Sequence, residues 1–411
     1  MNSQSKVFSI PILVAALGYF VDIYDLVLFS VVRKPSLAAI GVLPEALEKS
    51  GLYLLNIQMI GMLVGGLMWG ILGDKKGRLS VLFGSIILYS VANILNAYIT
   101  NITQYGILRF VAGVGLAGEL GAGITLVSEI LHKDKRGWGT TIVATVGVSG
   151  AILAGSLAVL HVPWTTCYII GGVLGLLLLL MRVSMYESGM YKQTKSSSNQ
   201  LGSLSLIFFN KQRFFTYIKC ILIGLPIWYV IGILITLSPE LGKELGIKGD
   251  INPAKSIMFC YAGVTVGDLL SGVLSQLLKS RKKVLQYFVF GTLLMVIAYF
   301  FMHGASVQYF YILFSVLGFA AGYWAVLITT ASEQFGTNIR ATVTTSVPNF
   351  IRASLVPISF FYTFLQTMGT TKLNSGLITG IICCTIAFIA ASLLKESYHK
   401  DLDYHEGGMG S

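Results

Sequence analysis

The stretch "GYFVDIYDLVLF" (18–29) sets two carboxylates, Asp22 and Asp25, three residues apart in a run with no other charge between Lys6 and Arg33. Residues three apart share a helical face, so the two acids can share a proton or meet a common cation. Ionisable groups inside an apolar run are costly and are functional hypotheses by default. Arg109 opens the run "RFVAGVGLAGELGAG", and Glu119 lies about 15 Å further along the same helix. Asp268 sits between Lys255 and Lys279, and Arg352 falls about 18 Å past Arg340. The chemistry on offer is proton carriage by carboxyl groups, charge pairing, and a bidentate grip of a guanidinium on a carboxylate. No nucleophile–base pair, metal-ligand spacing or phosphate loop accompanies these residues. The chain is therefore expected not to be an enzyme and to need no cofactor or metal, with protons as its coupling ion.

These residues must be positioned by a membrane protein. The 411 residues are 55% hydrophobic and only 11% charged, whereas soluble domains carry about 25% charged residues. Forty-five glycines suit close helix packing in lipid. The net charge of +11 raises the question of nucleic acid, but the basic residues lie in short gaps between apolar runs and form no continuous face. No nucleic-acid partner is expected. Cys167, Cys220, Cys260, Cys383 and Cys384 all lie within apolar runs and read as core residues. The first apolar run is too long for a cleaved signal, and the tail "EGGMGS" is left out of the fold reading.

A bilayer-crossing helix needs about 20 apolar residues. Twelve runs qualify: about 7–32, 51–73, 80–100, 105–131, 137–161, 164–186, 213–237, 254–279, 283–303, 307–334, 338–366 and 372–394. Runs of this length cross lipid only as helices, so the predicted fold is an all-α membrane protein of twelve transmembrane helices. The polar stretch near "KQTKSSSNQ" divides it into an amino-terminal half (1–186), a linker (187–212), a carboxy-terminal half (213–396) and a tail (397–411). With the amino terminus inside, inner loops hold nineteen Lys and Arg, Arg182 among them, against seven outside. The positive-inside rule then predicts a cell inner (plasma) membrane protein with both termini cytoplasmic. Pro226, Pro348 and Pro357 are expected to break helices mid-span.

The halves repeat. "SEILHKDKRGWGTT" (128–141) and "SEQFGTNIRATVTT" (332–345) align Glu129 with Glu333 and Arg136 with Arg340 at a constant offset of 204. "YES" at 186–188 echoes "KES" at 395–397, which aligns Glu187 with Glu396. These charges read as scaffolding at the inner membrane edge, of a kind that can form and break as a central cavity alternates its opening.

"GILGDKKGRLSVL" (70–82) resembles the G-x-x-x-D-x-x-G-R loop signature of the major facilitator superfamily, with Asp74, Gly77 and Arg78 at its core positions. The second-half counterpart, 271–285, keeps Gly272 and the basic cluster but lacks the Asp. "RFVAGVGLAGELGAGITLVSE" (109–129), "MYESGMY" (185–191) and "LKESYHKDL" (394–402) resemble motifs of the branch containing sugar porters, organic-ion transporters and metabolite:proton symporters. The resemblance implies two pseudo-symmetric six-helix halves and alternating access. It also implies that Asp25 pairs with Arg109 as the proton-coupling pair, that Asp22 and Glu119 share in coupling or bind substrate, and that Arg352 meets an anionic substrate. Asp268 is either a partner of Arg352 or part of the substrate site, and Tyr24, Trp228 and Trp324 are candidates to line it. The expected function is proton-coupled symport of a small polar metabolite, an organic anion or zwitterion, by a monomer in the lipid bilayer. The rivals are a proton-antiport exporter of drugs or metabolites and a non-transporting membrane sensor.

Overall fold

The structure is a computed structural model that describes residues 10–76, 78–119, 133–187, 208–336 and 339–398. Helices α1 (Ile10–Ala39), α2 (Leu47–Lys76), α3 (Arg78–Asn96), α4 (Ile102–Leu116), α5 (Lys133–Val148 and Gly150–Val159) and α6 (Trp164–Glu187) build the amino-terminal half. The carboxy-terminal half contains α7 (Lys211–Ile223, Leu225–Tyr229 and Val230–Ile235), α8 (Pro253–Leu277), α9 (Arg281–Phe300), α10 (Val307–Ala321 and Trp324–Glu333), α11 (Arg340–Ala353 and Leu355–Thr367) and α12 (Lys372–Leu393). Each of the twelve runs holds a helix among the described residues, the run 105–131 being described as far as residue 119. In lipid each helix must satisfy its own backbone, and the sequence provides caps where helices begin. Asn101, Asn210, Asn252, Ser280 and Thr371 accept the orphan amides that start α4, α7, α8, α9 and α12.

Several helices are interrupted. Pro226 and Pro357 lie just after breaks at Gly224 and Ser354, within the first turn of the following piece, where proline is tolerated. Pro348, predicted to break α11, sits inside the unbroken piece Arg340–Ala353. In α7 the turn Val230–Ile235 is a π-helix, a wide turn often found at functional sites.

The halves meet through α2 against α11, and α5 and α1 against α8. Close approach depends on glycine: a Cβ on Gly66 would stand 2.7 Å from the Cβ of Asn349. Asn349 crosses the seam to donate to the Ala117 carbonyl at 2.8 Å. At the other end Arg33 of α1 is buried and donates to Glu240 at 2.8 Å and to the Thr236 carbonyl at 3.1 Å. The sequence places Arg33 and Glu240 in loops; the structure makes them a buried clasp between the halves.

Candidate functional site

The central charges are held by close helix packing. Backbone-to-backbone contact between α2 and α4 is possible because Gly61, Gly65 and Gly113 carry no side chain. That contact brings Gln58 of α2 to Arg109 of α4, and the guanidinium Nη2 donates to the Gln58 side-chain oxygen. Arg109 also lies over the Phe29 ring, 4.8 Å from its centre. The expected ion pair with Asp25 is not made. Asp25 is fully buried, feels the charge of Arg109, and has no hydrogen-bond partner on either oxygen. The nearer amide on α2 has taken the guanidinium.

Asp22, one turn away, pairs instead with Arg352 of the opposite half at 3.0 Å. Arg352 lies in the last turn of the first piece of α11, 5.8 Å from the Trp324 ring centre. Only Nη2 of Arg352 is engaged; Nε and Nη1 are buried without a partner, as is the second oxygen of Asp22. A guanidinium held by one nitrogen, with an aromatic plane beside it, can take a carboxylate through its remaining N–H groups and an aromatic body against the tryptophan. Tyr19 and Tyr261 lie buried within electrostatic range of Arg352.

The alternative pairing of Arg352 with Asp268 does not occur. Asp268 accepts from the backbone N–H of Ala325 at 3.0 Å, so it caps the second piece of α10 from the neighbouring helix α8. The two helices can come this close because Gly267 and Gly322 lie face to face. A carboxylate suits the positive end of a helix; one Asp268 oxygen is given to this cap, and the other is buried without a hydrogen-bond partner. The Tyr24 hydroxyl donates to the Cys167 carbonyl at 2.8 Å. Trp228 is buried on α7, and the ring that stacks on Arg352 is Trp324.

Glu119 pairs with Arg182 through both carboxylate oxygens. The sequence counts Arg182 among inner-loop cations; the structure buries it in the bundle. Gly18 of α1 is pressed against this pair, and a Cβ there would overlap both partners.

At the far end, Glu333 accepts from Arg281 at 3.2 Å and from Ser397 at 2.7 Å. Its repeat partner Arg340 reaches the Ser332 and Phe335 carbonyls at the end of α10. Glu396 caps α9, accepting from the Ser280 hydroxyl and from the Arg281 and Lys282 amides. Burial pushes the Glu396 carboxyl up. The Ser280 hydroxyl and the amides of Arg281, Tyr398 and Ser397 outweigh this and hold it below the ordinary glutamate range. Gly77, Glu129 and the side chains of Asp74, Arg78, Arg136 and Glu187 lie outside the described residues.

Sequence reasoning missed Gln58, the seam glycines, and the amides Asn93 and Asn96 of α3. The signal for the last two was present: "VANILN" places two amides three residues apart in an apolar run.

A model of the Major Facilitator Superfamily matches residues 15–358, and the chain belongs to that superfamily. It is a multi-pass membrane transporter, not an enzyme. A Bacillus subtilis (strain 168) protein provisionally named the niacin/nicotinamide transporter NiaP is 25% identical over 95% of this chain and 96% of its own length. The benzoate transport protein of Acinetobacter baylyi (strain ATCC 33305 / BD413 / ADP1) is 26% identical over 80% of this chain and 78% of its own. Among solved structures, the proton:xylose symporter XylE bound to 6-bromo-6-deoxy-D-glucose aligns with a TM-score of 0.76 at 18% identity, covering 98% of both chains.

Proposed function

We propose that the protein is a proton-coupled symporter of a small organic acid, and that an aromatic monocarboxylate is the substrate class that fits best. The observation that carries this reading is the state of Arg352: buried between the halves, tied to Asp22 through one nitrogen, beside Trp324, with Nε and Nη1 unengaged. A substrate carboxylate would take up those N–H groups and compete with Asp22 for the guanidinium. The names of the relatives support the same class, since niacin and benzoate are both aromatic acids.

Asp25 is the proton carrier in this scheme. It is buried, has no ion-pair partner, and lies one helical turn from the acid that holds Arg352. A proton on Asp25 changes the balance of charge among Asp22, Arg109 and Arg352, which biases the inward-facing or outward-facing state. The clasp Arg33–Glu240 joins the halves and is the contact that opens at its end of the cavity; the Glu333–Arg281 group ties helices together within the carboxy-terminal half. The orientation that goes with this scheme is an inner membrane with both termini in the cytoplasm, and the working unit is a monomer.

The test is uptake of labelled benzoate and niacin by purified protein in proteoliposomes with the outside acid. Accumulation above the equilibrium level supports symport. Loss of preloaded acid under the same gradient indicates an exporter and overturns the reading.

A further inference from the structure

One face of α3 carries a line of buried polar groups that the proposed substrate site does not use. Among the described residues, the Tyr89 hydroxyl, the Ser90 hydroxyl, and both side-chain polar atoms of Asn93 and of Asn96 have no hydrogen-bond partner, and all four residues are 0% exposed. Leaving such a group buried without a partner is costly, so a row of them calls for a ligand. The row spans about 10 Å at the helical rise. At its outer end Asn96 is the last residue of α3, two residues before the exposed Tyr98. In the middle, the Asn93 amide lies beside the Asp25 carboxyl without closing a hydrogen bond of ordinary length.

Where this line meets α6 it is walled by glycine backbone rather than by side chains. Helix α6 presents glycines to this line. A Cβ on Gly171 would collide with the Asp25 carboxylate, and one on Gly175 with the Ser90 hydroxyl and the Tyr89 ring. Helix α3 packs chiefly on α2, α4 and α6, all in the amino-terminal half, so the line is separate from the seam where Arg352 lies. The charged and titratable groups around Asp25 are Asp22 and Tyr24 on its own helix, Arg109 on α4, Tyr168 on α6 beside Gly171, and Tyr89 on α3 next to the neutral Asn93. With Arg109 nearby, a metal cation is disfavoured. Water matches the set, because amides and hydroxyls need both a donor and an acceptor.

We infer that Asn96, Asn93, Ser90 and Tyr89 line a hydrated seam inside the amino-terminal half, which carries protons between the Arg33 end and Asp25 independently of the substrate route. Its transport consequence rests on the proton-symport reading above; its hydration does not.

Two arms test it. First, Asn93→Cys, Asn96→Cys, Ala92→Cys and Val91→Cys are made singly and treated with 2-aminoethyl methanethiosulfonate. The thiolate, which needs water to form, attacks the thiosulfonate sulfur and displaces methanesulfinate, so the Asn93 and Asn96 variants should react at least about tenfold faster than the Ala92 and Val91 variants. The native cysteines are all buried, which keeps the background low. Equal inertness at 93 and 92 overturns the seam. Second, with labelled benzoate, Asn93→Leu should cut acid-driven accumulation by about tenfold, with gradient-free exchange kept and Asn93→Ser restoring accumulation. Unchanged accumulation, or an equal loss of exchange, overturns the proton route. If the unaltered protein moves no benzoate, the substrate reading has failed, and the labelling arm still decides the seam.

Discussion

Asp22 Oδ2 and Arg352 Nη2 stand 3.0 Å apart, on opposite halves and 330 residues distant in the chain. In the proposed scheme the pair is an internal version of substrate binding, with the protein's own carboxylate occupying one part of the guanidinium fork. Arg352→Lys keeps the charge and loses the fork, so benzoate binding followed by calorimetry should weaken by about tenfold or more. Asp22→Asn removes the competing charge and should tighten binding by about threefold or more. Unchanged affinity in both variants would separate Arg352 from the substrate.

Asp25→Asn should abolish acid-driven accumulation in proteoliposomes and leave gradient-free exchange measurable. The amide carries no titratable proton but occupies nearly the same volume. Accumulation at the unaltered level would remove Asp25 from coupling.

Gly171→Ala tests the same carboxyl from the other side. The added methyl would meet the Asp25 oxygen and, at 2.9 Å, the Tyr24 ring. Overpacking of this kind costs about 1–3 kcal/mol, so thermal unfolding should shift downward and accumulation should fall together with it. A variant as stable and active as the parent would mean that α1 and α6 stand further apart.

The Arg33–Glu240 clasp holds one end shut. Arg33→Ala leaves Glu240 with only the weaker Lys34 contact at 3.9 Å. Breaking a buried pair costs about 3–5 kcal/mol, so spin labels at exposed sites on α1 and on the Ser238–Glu244 segment should report a population shift toward longer distances. An unchanged distance distribution would show that the clasp does not control this end.

The Glu396 cap gives a pH dependence. Its carboxyl lies below the ordinary glutamate value in the folded protein. The unfolded chain therefore binds the proton first as pH falls, and the cap's contribution is complete above the ordinary value and lost as pH drops through the depressed one. Limited proteolysis after Leu394 should accelerate over that acidic window, and Glu396→Gln should be cleaved faster at neutral pH with less acid dependence. Acid-independent cleavage of the unaltered chain would contradict the cap.

The helices were legible because a bilayer imposes length and hydropathy on each run, and each run holds a helix among the described residues. Partners were less legible. Helical spacing gives the face of Asp25 and its depth, but the distance to Arg109 depends on how closely α2 approaches α4, which the seam glycines decide. Arg182 ends an apolar run, so by hydropathy it looks like a loop cation; its partner Glu119 is 63 residues away, and only packing joins them. Asp268 resembles every other intramembrane acid until the break at Gly322 supplies a helix start for it to cap. Asn93 and Asn96 carry no charge and drew no notice, although their burial without partners is a strong signal in three dimensions.

The interruptions at Gly224, Val230–Ile235, Gly322–Tyr323 and Ser354 all fall in the carboxy-terminal half. Asp25, buried with neither an ion-pair partner nor a helix to cap, falls in the other. The amino-terminal half has a joint of its own at Ser149 in α5, but the jointed helices α7, α10 and α11 all lie in the half that lacks Asp25. In the proposed symport scheme, a wedge that froze the α10 joint would stall movement while leaving Asp25 free to take its proton, so an inhibitor aimed there would trap the loaded carrier rather than discharge it.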